Sequence, residues 1–346
     1  MPRLLVLGAH GFFGRAALHR LRADGLQPLA AARHDPAKRG RPGADVQLDV
    51  EDPASLRAAL RPGDVLLDTV GPFQARTTAL VEAALEIGCD LVDIADSRAY
   101  VARLQDLEPR INAAGIRVLT ACSSVSAISA ACVRLSGIEA PVRVTGCLAP
   151  AARYASTPGS GASLLRSVGQ PVFVIRDGTL TQRTGWRDTH DFEMPPPIGR
   201  TRGYLFETAD ALTLPRVWPS LQTVDFYVDS RVPLLNRFFS LAARSRPVWL
   251  LAARMLGLGL RFARAFGSPI GCLAFEVEAH DGRVVQHALI AAENGYFTPI
   301  APAVLAARAL MENRFAPRGL VPPDQHVDPH ALLAYLAALG IHPVPA

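Results

Sequence analysis

Residues 3–15, "RLLVLGAHGFFGR", set a short apolar run directly against three glycines spaced three apart, Gly8, Gly11 and Gly14. A strand that ends in a glycine turn and feeds a helix is how phosphate-binding turns are built. The missing Cβ lets the backbone approach a pyrophosphate, the first-turn amides point at it, and the helix dipole adds favourable potential. The spacing is G-x-x-G-x-x-G rather than the strict G-x-G-x-x-G. Gly11 and Gly14 match the last two glycines of that fingerprint, and Ala9 stands where the first would be. A dinucleotide-binding turn and a tight strand–helix packing turn both fit the bare pattern, so the surroundings decide.

Those surroundings alternate. β-type runs at 3–7, 27–32, 44–49, 64–70, 90–95 and 116–121 are separated by helix-like stretches with recognisable ends. Asp52 precedes Pro53 as an N-cap, and Gly25 and Gly88 act as stops. The strands read as continuous apolar runs, as strands covered on both faces do. Six strand–helix alternations predict an α/β fold, a Rossmann-type doubly wound parallel sheet. After about residue 140 hairpin patterns replace the alternation, with turns at "RDG" and "HDGR". We therefore expect an inserted, mostly antiparallel α+β domain over 141–297 for substrate and dimer contacts. The nucleotide-binding domain then covers 1–140, completed by helices in 298–346.

Composition narrows the function classes. The 346 residues are 49% apolar and only 19% charged, with net charge +5 and mean hydropathy +0.18. That balance suggests apolar surface buried in an oligomer, with a homodimer expected, or against lipid. Lys38 is the only lysine, so the arginine count reflects compositional bias, and no basic–aromatic run points to nucleic acid. Five cysteines, odd in number and widely spaced in apolar segments, suit reduced buried thiols and no metal. No 18-residue uncharged apolar stretch is present, and the first apolar run stops at Gly8, unlike a signal peptide. A cytoplasmic location is the expectation.

The coenzyme form is read one strand further on. Where an NAD fingerprint has an acid holding the ribose 2′-hydroxyl, this chain has Arg33. A guanidinium pairs with a 2′-phosphate that a carboxylate would repel, so NADP is favoured over NAD. His34 follows it, and Lys38 and Arg39 lie nearby; a solvated basic loop is the alternative. Asp49 closes the third strand on the expected adenine side, or is a plain capping residue. Val70, Gly71, Pro72 and Phe73 close the fourth, where backbone meets cofactor. The expected cofactor contacts are thus Gly8, His10, Gly11, Phe12, Phe13, Gly14, Arg33, His34, Asp49 and Val70 through Phe73. Arg15, against the helix dipole, either meets phosphate or is exposed.

"LGAHGFFGR" (7–15), "DTVGPFQARTTALVEAALEIGCDLVDIADSRAYV" (68–101) and "CSSVSAISAACVR" (122–134) together resemble the saccharopine dehydrogenase-like NADP-binding family. "AENGYFTPIAPAVLAARAL" (292–310) is similar to its bacterial branch. The resemblance implies a Rossmann NADP domain with an inserted α+β domain for substrate and dimer contacts. It does not imply saccharopine as substrate. The family includes enzymes acting on amino-acid adducts, trans-acting enoyl reductases of lipid pathways, and members without known activity.

Hydride transfer needs alignment, exclusion of water and one proton donor. Candidates at the strand ends are Gln74, Asp96, Ser97, Cys122, Ser123 and Ser124, with Cys122 read as a buried thiol and the two serines also as helix N-caps. The second domain offers Tyr154, Arg153, Arg166, Trp186, Arg187, His190, Asp191 and Tyr204, and Ser160 and Gly161 could aim amides at a ligand. His190, Tyr154 and Ser123 are the catalytic candidates, His190 as general acid. The apolar, arginine-bearing segment 232–267 could line a pocket, form a dimer face or contact a membrane peripherally. The expected function is an NADP-dependent oxidoreductase. It would move a hydride to or from a C=C, C=O or C=N bond of a small, apolar substrate held between the domains. The alternative is a non-catalytic NADP(H)-binding regulator or partner protein.

Overall fold

The computed structural model describes residues 2–33 and 43–344. In chain order the elements begin with β1 (Leu4–Leu7), α1 (Phe12–Ala23), β2 (Leu29–Ala32), β3 (Val46–Gln47), α2 (Pro53–Ala59) and β4 (Val65–Asp68). Next come α3 (Ala79–Ile87), β5 (Asp90–Asp93), α4 (Arg98–Asp106), α5 (Glu108–Ala114), β6 (Arg117–Leu119) and α6 (Ala127–Leu135). β7 (Pro141–Ala149), α7 (Ala152–Ala155), α8 (Pro158–Ser167), β8 (Pro171–Arg176), β9 (Thr179–Thr184), β10 (Thr189–Met194) and β11 (Gly199–Phe206) follow. Then come α9 (Asp210–Val217), β12 (Thr223–Val228), α10 (Leu235–Ala242), α11 (Arg246–Arg254), α12 (Leu256–Phe266), β13 (Gly271–Ala279) and β14 (Val284–Ala291). The chain closes with α13 (Ala301–Met311), β15 (Gly319–Leu320), α14 (Pro329–Ala338) and β16 (Ile341–Val344). Two units form, residues 1–128 with 299–328, and residues 129–298 with 329–346.

Unit 1 is a seven-stranded sheet in the order β15-β6-β5-β4-β1-β2-β3, with every pairing parallel. The fold is the doubly wound α/β type, as expected, with one strand more than the six read in the sequence. β15 is two residues long and returns from 200 residues downstream, below the length at which periodicity speaks. β1, "LLVL", is buried along its whole length, and each such side chain contributes roughly 1.5–3 kcal/mol. α13 lays its alanines and Val304 against β4, β5 and α1. Asp52 caps α2 by accepting the Ala54 N–H, and Gly88 ends α3 in the left-handed conformation.

Unit 2 holds a nine-stranded mixed sheet. Its main path runs β10-β11-β12-β7-β13-β14-β16, and β8 and β9 form a hairpin attached through β12. The β12–β7 pair is parallel and the other pairs are antiparallel. The inner face buries Cys147, Val172, Phe192, Tyr227 and Ala274 in one cluster. The sheet curls strongly. His190 on β10 and Glu276 on β13 stand four places apart in strand order, about 19 Å if flat, yet their side chains meet at 3.4 Å. α14 and β16 belong to this unit and not to the nucleotide-binding one, because β16 extends the sheet edge beside β14.

Candidate functional site

The strand order of unit 1 reverses at β1, which has β4 on one side and β2 on the other. Ligands of doubly wound sheets bind outside the carboxyl ends of the strands at that point. The turn between β1 and α1 stands there, and its three glycines act differently. Gly8 has φ +77°, and a Cβ on it would lie 3.0 Å from Thr69 Oγ1 and from Val70 Cγ2. Gly14 is tighter, since its Cβ would fall 2.2 Å from the Gly8 carbonyl oxygen. These two lock the turn against the β4 loop and the helix against the turn. Gly11 is exposed, its Cβ would meet only Gly8 O at 3.0 Å, and its N–H donates to Gly8 O at 2.8 Å.

α1 has no side-chain cap at Gly11 and no acid in its first turn. Its amide end therefore carries an unanswered partial positive charge. Arg15 folds back and donates to the His10 carbonyl at 2.8 Å, adding cationic character. The His10 Nε2 is buried without a partner. Phe12 and Phe13 are half-buried and pack edge to face at 5.3 Å. Past the end of β2, Arg33 is largely exposed and lies 3.8 Å from Asp49, so the structure brings these two expected residues together. His34, Lys38 and Arg39 lie outside the described residues. A bare helix end, an open glycine and an exposed guanidinium past β2 form a cradle that fits a phosphorylated dinucleotide.

The loop after β4 is held from below. Asp68 accepts the Val70 N–H at 2.9 Å and pairs with Arg76 at 2.9 Å, and Arg76 also donates to the Val70 carbonyl at 2.8 Å. Glu51 pairs with Arg76 at 2.5 Å and receives Thr77. Burial would lower the Arg76 guanidinium, but Asp68, Tyr100 and Glu51 outweigh it and hold it above its ordinary value. Gly71 and Pro72 stay exposed, while Phe73 turns inward against Tyr100 at 5.3 Å. On β5, Asp93 accepts the N–H groups of Ala95 and Ala121 at 3.0 and 2.8 Å. Burial pushes its carboxyl up to about 6. Tyr100 OH and Asp93 Oδ2 are buried without partners.

Asp68, Arg76 and Asp93 were missed from the sequence, although a carboxylate closing an otherwise apolar strand twice over, in "VLLD" and "LVD", was a readable signal.

Among the other candidates, Gln74 donates to Asp96 at 3.2 Å and Ser97 caps α4. Cys122 is fully buried, and burial with nearby Asp93 pushes its thiol well up, which leaves it protonated. Ser123 is buried, and its carbonyl accepts the Ile128 N–H at 3.2 Å. α6 begins only at Ala127, so Ser123 and Ser124 precede the cap position they were expected to fill. Trp186 is core: it is fully buried, stacks on Tyr204 at 5.2 Å and donates to Ser167 at 2.9 Å. Gly161 lets α8 approach Leu256 and Leu260 of α12, and Ser160 closes a capping box with Thr157. Both therefore serve packing. Asp191 is bound by Arg202 and Arg200, which hold its carboxyl low. Arg153, Arg166 and Arg187 are exposed.

His190 has a partner that the sequence could not reveal, Glu276, and packs on Phe192 and Tyr227. Tyr154 is exposed on α7. All five cysteines are buried, free thiols. Among the described residues no group of three His, Cys, Asp or Glu side chains could hold a metal, and no helix is long and apolar enough to cross a membrane.

Residues 4–119, about a third of the chain, match the profile described as "Saccharopine dehydrogenase NADP binding domain". The chain is 29% identical over 34% of its length to a probable mitochondrial saccharopine dehydrogenase-like oxidoreductase of Arabidopsis thaliana, covering 31% of that protein. It is 28% identical over 34% of its length to a lipid droplet localized protein of Caenorhabditis elegans, covering 32% of it. The matched part is thus about a third of these relatives. The fold is similar over the full length of both chains to apo saccharopine dehydrogenase (L-Glu forming) from Saccharomyces cerevisiae, with TM-score 0.64 and 16% identity.

Proposed function

We propose that this protein is an NADP(H)-dependent oxidoreductase acting on a C=C, C=O or C=N bond of a small substrate. The reading is carried by the uncapped N-terminus of α1, opened by Gly11, with Arg33 exposed past the end of β2. The name of the Arabidopsis relative points to the same reaction class. The bound coenzyme would supply the hydride.

The chain's own residues bind and orient. Phe12 and Phe13 would offer amides to the pyrophosphate, Gly11 would let it approach the backbone, and Arg15 would add positive potential. Arg33, which lies 3.8 Å from Asp49, would take the 2′-phosphate, and Asp49 would lie on the adenine side. Asp68 and Asp93 fix the backbone of the loops at 69–73, 94–97 and 120–123 by accepting their amides. This holds the carboxyl edge of the sheet in one geometry against which the reacting ring is aligned. His190, which lies 3.4 Å from the Glu276 carboxylate, is the residue we propose as proton donor.

Calorimetry with NADPH and NADH, followed by NADPH consumption against enoyl thioesters, imines and keto acids, tests this reading. NADPH should bind more tightly than NADH and be consumed with at least one class. Binding without consumption by any compound would favour the regulator, and no heat with either nucleotide would remove the cofactor site.

A further inference from the structure

The stretch from Ser230 to Phe275 contains seven arginines and no aspartate or glutamate; Asp229 and Glu276 bound it. It supplies α10, α11 and α12. One side of these helices is packed. Phe239, Ala242 and Ala252 join a cluster with Trp186 and Leu165, and Ala263 packs with Ala152 and Val232.

The other side is open. Of eleven large apolar side chains left exposed among the described residues, eight lie in this stretch. Leu258, Phe262 and Phe266, at positions i, i+4 and i+8, share one face of α12 and are 57%, 43% and 63% exposed. Leu250 and Leu251 of α11, and Met255 just after it, are exposed as well. Arg237, Arg246, Arg254 and Arg261 are exposed on the same helices. Isolated apolar side chains on a surface carry no meaning, but a concentration of this kind marks a contact.

We propose that α11 and α12 form a docking face for an anionic lipid surface. Charge decides between the occupants. A second copy joined by a two-fold axis would set the same patch against itself and place arginine opposite arginine, with no acid in the stretch to answer them. An anionic leaflet answers both halves, with phosphates for the guanidinium groups and the acyl boundary for leucine and phenylalanine. Helices lying in the interface plane need no membrane-spanning length.

The test uses the full chain with vesicles of phosphatidylcholine alone, and with about a third phosphatidylglycerol. Co-sedimentation should be about tenfold greater on the anionic vesicles and should fall as salt rises. The Phe262→Glu/Phe266→Glu variant should reduce it to the neutral-vesicle level, with thermal melting and NADPH binding unchanged, because both rings face solvent. Arg254→Ala/Arg261→Ala should weaken the anionic preference with the apolar face intact, and it tests the proposal independently should the first variant not fold. Equal sedimentation with both vesicle types overturns the proposal. So does a concentration-dependent dimer that the glutamate variant dissociates and that binds no vesicles, since the occupant would then be a second copy.

Discussion

Asp68 and Asp93 stand opposite one another in the register of β4 and β5, each closing its strand and each fully buried. They are satisfied differently. Asp68 meets the Arg76 guanidinium, whereas Asp93 accepts the backbone amides of Ala95 and Ala121 through one oxygen and has its other oxygen buried without a partner.

Burial raises both carboxyls and gives Asp93 a pH signature. Its carboxyl is raised to about 6 by burial, so the folded state binds the proton more tightly than the unfolded chain. The stability it contributes is present below about pH 4 and is lost as pH rises through about 6. His326 has the opposite sign: it is buried, bonded to the Val321 carbonyl and lowered to about 4 by burial. Its contribution is present above about 6.5 and is lost as pH falls through about 4. Between pH 7 and 5, Asp93→Asn should forfeit a gain of about 1 kcal/mol, and His326→Gln should be spared a loss of about 2 kcal/mol. Urea denaturation at the two pH values reads both.

Arg76→Met should be severely destabilising, by about 3–5 kcal/mol, because it strands the Asp68 carboxylate in the interior. Adding Asp68→Asn should recover part of the loss. Additive losses in a double-mutant cycle would show that the pair is not coupled.

The glycines of the first turn should separate binding from folding. Gly14→Ala puts a Cβ 2.2 Å from a backbone oxygen, and should cost about 1–3 kcal/mol in thermal or urea unfolding. Gly11→Val brings its Cβ 3.0 Å from the Gly8 carbonyl oxygen; it should cost less in unfolding than Gly14→Ala and abolish NADPH binding in calorimetry, since its side chain would fill the pyrophosphate path. Retained affinity would place the coenzyme elsewhere.

Arg33→Asp should weaken NADPH binding by about ten- to a hundredfold, the worth of a charge-assisted phosphate contact. It should improve NADH binding relative to NADPH. Equal losses for both would show that Arg33 does not read the 2′-phosphate.

The five thiols should resist an aromatic disulfide reagent in the native protein and react fully after denaturation. Burial removes access, and for Cys122 it also suppresses the thiolate. Rapid native labelling of Cys122 would contradict its place in the core.

The glycine spacing, the caps of α2 and α3 and the turn at Asp177–Gly178 were legible because each is a local demand on φ or on an orphan amide. The doubly wound order followed from the alternation. What stayed hidden depends on distance along the chain. β15 is two residues from far downstream, Arg76 finds Asp68 across a loop, and Glu276 reaches His190 only because the sheet of unit 2 curls. Trp186 read as a polar-site aromatic because its neighbours in sequence are polar, while its neighbours in space, Tyr204 and Phe239, are not.

The interleaved make-up of the two units bears on biosynthesis. As the polypeptide leaves the ribosome, β1 through β6 emerge early, but β15 and the covering helix α13 arrive only after residue 300. Until then the free margin of β6 and the bare flank of β4 and β5 are open to wrong partners. Newly made chains halted before that point are the ones for which a holding chaperone would matter.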